Sequence, residues 1–127
     1  MLFYFILELI PPTFSEFNIQ AVTELTENEN ISFRYSISGP LPINIIWSRS
    51  KNGREQQLAW CTVNSGIRCK YFVKTVAITY NSFTIDNVRY PKDNNASFKC
   101  QAANSFGSSS KLFVLMVQCK IKKARLQ

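Results

Sequence analysis

Apolar and polar residues alternate most cleanly in two stretches. Ile31, Phe33, Tyr35 and Ile37 are apolar at every second place, and Ala96, Phe98, Cys100 and Ala102 repeat that spacing against Ser97, Lys99 and Gln101. A period of two sends successive side chains to opposite faces, so each stretch predicts a half-buried strand. The second runs into Asn104-Ser105-Phe106-Gly107, a turn composition, and then into the apolar run Lys111 to Gln118. The two read as an antiparallel hairpin turning around Phe106-Gly107. Thr13 to Thr26 alternates loosely (Phe14, Phe17, Ile19, Val22, Leu25) and predicts an edge strand that changes partner midway. Glu27-Asn28-Glu29-Asn30 is a turn, Ser38-Gly39-Pro40-Leu41-Pro42 breaks the chain, and Ile43 to Arg49 starts a strand that carries Trp47.

Gln57 to Val63 and Ile67 to Val73 flank Asn64-Ser65-Gly66, a three-residue hairpin loop with glycine where a left-handed residue is needed. In that register Val63 faces Ile67, Thr62 faces Arg68 and Cys61 faces Cys69. Directly opposed strand residues lie within disulfide reach, so a Cys61–Cys69 staple is predicted. The other two cysteines do not meet. With the last hairpin turning around Phe106-Gly107, Cys100 stands opposite Phe113 or Val114, and Cys119 lies roughly 17 to 20 Å further along the strand. Cys100 is expected as a buried free thiol and Cys119 as an exposed one or one paired elsewhere. Trp60 faces away from its neighbour Cys61. If the cysteine pair faces solvent, Trp60 is core, which is the arrangement expected; otherwise it is an exposed aromatic on a sheet face, of the kind that anchors partners.

Composition supports strands: ten Phe, five Tyr and two Trp stand beside only four Gly in 127 residues, a length that makes one domain. The chain contains no histidine. That removes Ser-His-Asp and Cys-His nucleophile arrangements, the usual base near neutral pH, and imidazole zinc sites. Five of the eight acidic residues fall in the first 29 positions, which leaves no carboxylate cluster for acid–base work or calcium, and no phosphate loop or paired Cys-x-x-Cys appears. The chain is read as no enzyme and as taking no cofactor or metal. The net charge of +7 is uneven, with no Lys or Arg before Arg34 and Lys120, Lys122, Lys123 and Arg125 near the end. Aromatics do not interleave with these cations as in single-strand nucleic-acid grooves, so nucleic acid is not expected. Residues 119–127 read as a basic tail or linker. Residues 1–10 (MLFYFILELI) are too short to cross a bilayer and lack a basic flank, so no membrane span is expected. They read as a remnant signal or as the end of a preceding domain, the latter because they echo Leu112 to Gln118.

Phe98-x-Cys100-x-Ala102-x-Asn104-x-x-Gly107 resembles the F strand and FG turn of the immunoglobulin superfamily. Ser38-Gly39-Pro40-x-Pro42 followed by Trp47, and the opening Pro11-Pro12-Thr13-Phe14, resemble I-set domains of that superfamily. The resemblance covers residues 11–118 and implies an all-β fold, an immunoglobulin-like Greek-key sandwich of two antiparallel sheets with seven to nine strands. It puts Tyr35, Trp47, Phe98 and Cys100 at the core signature, and Phe83, Ile85 and Val88 on the E strand and EF corner. Two departures stand out. Tyr35 occupies the place of the first cysteine of the inter-sheet disulfide, and the Asp-x-Gly-x-Tyr-x-Cys corner is reduced to Asn94, Ala96, Phe98 and Cys100, with Asp93 one place early. The implied role is a non-catalytic protein-interaction module of a larger cell-surface or secreted adhesion or receptor protein, with neighbouring immunoglobulin domains in a longer polypeptide. The alternative is a structural domain of a cytoplasmic titin-like muscle filament, where such domains lack the disulfide.

The staple and the glycosylation triplets at Asn30 and Asn95 favour the extracellular alternative, although a chain this rich in Asn, Ser and Thr shows about two such triplets by chance. Asn52-Gly53 predicts a type I′ turn, and Arg49, Lys51 and Arg54 around it form a basic rim suited to an acidic partner patch. With Trp60, these are the candidate interaction residues.

Overall fold

A computed structural model describes residues 10–18 and 22–119. Among them are ten strands and no helix: β1 (Thr13–Phe17), β2 (Val22–Thr26), β3 (Ile31–Ser38), β4 (Ile43–Lys51), β5 (Arg54–Val63), β6 (Ile67–Tyr71), β7 (Val76–Thr79), β8 (Ser82–Ile85), β9 (Ala96–Asn104) and β10 (Gly107–Gln118). They form a four-stranded sheet, β1-β3-β8-β7, and a six-stranded sheet, β2-β10-β9-β4-β5-β6. This is an immunoglobulin-like sandwich, with one strand more than the seven to nine expected. The first edge strand does change partner: β1 pairs antiparallel with β3, whereas β2 crosses over to pair parallel with β10. At the other edge β6 adds a sixth strand outside β5, as in variable-type domains. The expectations for residues 1–9 and for the basic tail at 120–127 fall outside the described residues.

The alternating stretches bury the faces their spacing predicts. Phe33, Tyr35, Trp47, Phe83, Phe98, Cys100 and Phe113 fill the space between the sheets, each 3% exposed or less. Trp47 lies flat on Phe83 with ring centroids 4.2 Å apart, and Phe33 bridges Trp47 at 5.7 Å and Phe113 at 4.4 Å. Phe98, which cannot make a corner tyrosine's hydroxyl bond, instead stacks on Phe113 at 5.3 Å. Each such aromatic contact contributes about 0.5–1.5 kcal/mol beyond the area it buries.

One register differs from that predicted by the sequence, and a bulge in another pair overturns the expected facing of Trp60. The last hairpin turns at Ser105-Phe106, between paired Asn104 and Gly107, because Asn104 Oδ1 accepts the Phe106 amide at 2.8 Å. Cys100 therefore faces Lys111, not Phe113 or Val114. In the β4–β5 hairpin a bulge leaves Leu58 unpaired between Trp47↔Ala59 and Ser48↔Gln57. Counted straight from the turn, Trp60 would oppose Ile45 and point inward. The extra residue moves Cys61 into that place and turns Trp60 outward.

The Pro11-Pro12 opening is clamped between two turns. Asn104 Nδ2 donates to the Ile10 carbonyl at 2.9 Å and to that of Pro40 at 3.2 Å. A Cβ on Gly107, whose φ is +146°, would lie 2.9 Å from Pro11 Cγ, so only glycine lets the prolines pass.

Candidate functional site

Three places carry the side chains singled out in the sequence. The first is the centre of the sandwich. Tyr35 on β3 points at β4, where its hydroxyl accepts the Trp47 indole N–H at 3.2 Å and donates to the Thr79 carbonyl at 3.2 Å. It thus satisfies the one polar group of Trp47, which is fully buried. Cys100 is a free buried thiol with no partner on β3. Burial drives the pKa values of both groups well above their ordinary ranges; for Tyr35 the Trp47 hydrogen bond opposes the rise and the neighbouring Cys100 adds to it. A thiol held this firmly in its neutral form is a packing element and not a nucleophile.

The second place is the outer face of the six-stranded sheet. The β5–β6 register matches the predicted one at Val63↔Ile67, Thr62↔Arg68 and Cys61↔Cys69, and the two cysteines are bonded with Cα atoms 4.0 Å apart. Cys61 is buried and Cys69 exposed. Trp60 is consequently not core: it is half-buried on the outer face, in a cross-strand row that runs Ser110, Gln101, Ile46, Trp60, Lys70. Ile46 is also half-buried, so the two make an apolar centre with polar ends.

The third place is one end of the sandwich. Asn52 and Gly53 have φ of 54° and 77°, the type I′ turn that their identities predict. Beside this turn a groove of about 840 Å³ has Arg49, Lys51 and Arg54 on one wall and Pro91 and Lys92 on the other. Arg49 Nη1 is 2.8 Å from Asp93 Oδ1 and its Nη2 donates to Gln56, while Lys51 Nζ donates to the Pro91 carbonyl and so ties the walls together. Asp93 is 5% exposed, and its second oxygen accepts the Arg89 amide at 2.8 Å. The displaced aspartate of the corner thus anchors both the turn and the groove. The sequence marks Asp93 by its place near the corner but gives it no part in this groove, and it does not mark Lys92; the basic pair Arg89 and Lys92 on either side of Tyr90-Pro91 is the signal that points there.

The two glycosylation triplets sit at exposed asparagines with structural duties. Asn30 Oδ1 accepts the Asn87 amide at 2.9 Å, and Asn95 holds φ of 60° in the turn before β9. Among the described residues no three metal-ligating side chains gather, and no helix is long and apolar enough to cross a membrane.

No family model matches the chain, and no curated protein does. Solved structures do match, and they are immunoglobulin domains. An immunoglobulin chain of the complex between titin M10 and obscurin-like 1 is 17% identical with a TM-score of 0.61, over 86% of this chain and 95% of that one. The twitchin kinase region from C. elegans is 18% identical with a TM-score of 0.56, over 85% of this chain and 16% of that one. The four N-terminal immunoglobulin domains of Dscam1 are 16% identical with a TM-score of 0.56, over 84% and 24%. At such identities the likeness establishes the immunoglobulin-like fold. The chain spans almost the whole of the first and a fraction of the other two.

Proposed function

We propose that the chain is a non-catalytic protein-interaction domain, of I-set character over residues 11–118, within a larger cell-surface or secreted adhesion or receptor protein. The observation that carries this reading is the outward Trp60. A large aromatic with a half-buried apolar neighbour, on a sheet face stiffened by a disulfide, is the form in which protein contacts concentrate their binding energy. Polar Gln101 and Lys70 along the same row supply the rim. The Cys61–Cys69 bond supports an oxidising compartment. In that compartment Asn30 and Asn95 are glycan acceptors, and both are exposed.

A second reading, a structural domain of a cytoplasmic titin-like filament, draws on Tyr35 and the free Cys100, where the disulfide common to secreted relatives is missing. It leaves the exposed staple without a purpose.

The sheet-face reading is tested with a photo-crosslinking side chain placed at Lys70, opposite Trp60, in protein applied to cells that express the native chain. Adducts at Lys70 that disappear with Trp60→Ala, and that do not form from Ser36 on the other sheet, are expected. Equal yields from both positions, or adducts indifferent to Trp60→Ala, overturn it.

A further inference from the structure

We propose that the end of the sandwich at the β4–β5 turn binds a sulfated polysaccharide. The groove of about 840 Å³ adjoins a second cavity of about 190 Å³, and the two share Arg49, Lys92 and one basic surface. Lys74 and Arg89 line the second cavity, so cations from four separate segments, β4, β5, the β6–β7 connection and the β8–β9 connection, converge on this end. Only two carboxylates share it. Asp93 is consumed by Arg49, and Glu55 lies 3.5 Å from Lys99 on β9, across the intervening β4. Among the described residues the side chains of Arg54, Lys74, Arg89 and Lys92 have no ion-pair or hydrogen-bond partner. Like charges gathered without counter-charge raise the potential in a cleft and attract a polyanion.

The shape of the groove selects among polyanions. Its walls are already tied by Arg49 to Asp93 and by Lys51 to the Pro91 carbonyl, so it is open before any ligand arrives and little ordering is lost on binding. The lining of the larger groove includes no aromatic ring of the kind on which nucleobases stack. Pro91 is the one apolar residue of its lining, and the apolar residues Leu58, Val76, Ile85 and Phe98 behind the smaller cavity are 5% exposed or less, so they offer little surface to a peptide side chain, the usual anchor of protein recognition. A chain of sulfated sugars carries its charge on its periphery and asks only for cations at intervals. The proposal rests on the extracellular placement above but uses none of the Trp60 face, so either can fail alone.

Heparin is the probe, titrated against the whole chain at several salt concentrations. Affinity is expected to fall steeply with salt. Arg54→Gln with Lys92→Gln should weaken binding at least tenfold, and Arg34→Gln with Lys111→Gln, the same charge removed from β3 and β10, less than twofold; melting of both doubles verifies that they fold. Desulfated heparin, polyglutamate and an oligonucleotide should each compete at least tenfold less well than heparin. Absence of binding overturns the proposal. So do equal losses in the two double variants, as binding through the basic residues 120–125 would give, and equal competition by polyglutamate or the oligonucleotide.

Discussion

The centre of the sandwich and its β5–β6 edge solve the same problem in opposite ways. At the centre two sheets meet with no covalent bond: Tyr35 takes up the Trp47 N–H, and Cys100 is a packed free thiol. At the edge two neighbouring strands, already joined by backbone pairing, carry the one disulfide among the described residues. The difference follows from what each region can bury. Six aromatic side chains close over one another at the centre, whereas all five residues of β6 are exposed. A covalent bond is replaceable where apolar area is available to take its place. An edge strand with nothing to bury keeps its position by the ladder and the bond alone.

The comparison breaks most visibly at Phe33, which touches Trp47, Phe83 and Phe113. Phe33→Ala should cost about 3–5 kcal/mol in urea unfolding, with all probes lost together. Cys61→Ala with Cys69→Ala should cost less, about 2.5 kcal/mol or below for so short a loop. Its loss should be local: amide exchange should quicken in β6 while β3, β4 and β9 stay protected. Tyr35→Phe keeps the ring but orphans the buried Trp47 N–H, and should cost about 2 kcal/mol with a shifted tryptophan fluorescence.

The smallest effect is in pH. The pKa of Cys100 is raised on folding, so the stability tied to it is complete below about pH 8.5 and is lost as pH rises further, since only the unfolded chain gives up the proton. Between pH 8 and 9.5 the loss should be about 1.3 kcal/mol, and Cys100→Ala should flatten that part of the profile. Tyr35 acts with the same sign above about pH 10.

Local chemistry was readable wherever it was continuous along the chain. Period-two runs located β3 and β9, the break at Ser38 to Pro42 located the start of β4, and the three-residue loop at Asn64 set the register that opposes Cys61 to Cys69. Trp60 was misplaced because its direction hangs on one unpaired residue, Leu58, whose bulge turns Cys61 and not Trp60 toward the core. The last hairpin slipped for a similar reason: the Asn104 side chain, not the glycine, sets where the turn falls. The basic end was half visible. Arg49, Lys51 and Arg54 are close in sequence, but Lys74, Arg89, Lys92 and Asp93 reach them only through the Greek-key connections.

Peptide mapping of unreduced protein from its native source tests most directly that the centre of the sandwich is unbridged and its edge bonded. The expected map has a Cys61–Cys69 linked peptide and a Cys100 that alkylates only after unfolding. Four alkylatable thiols, or Cys100 found in a bridge, would contradict it.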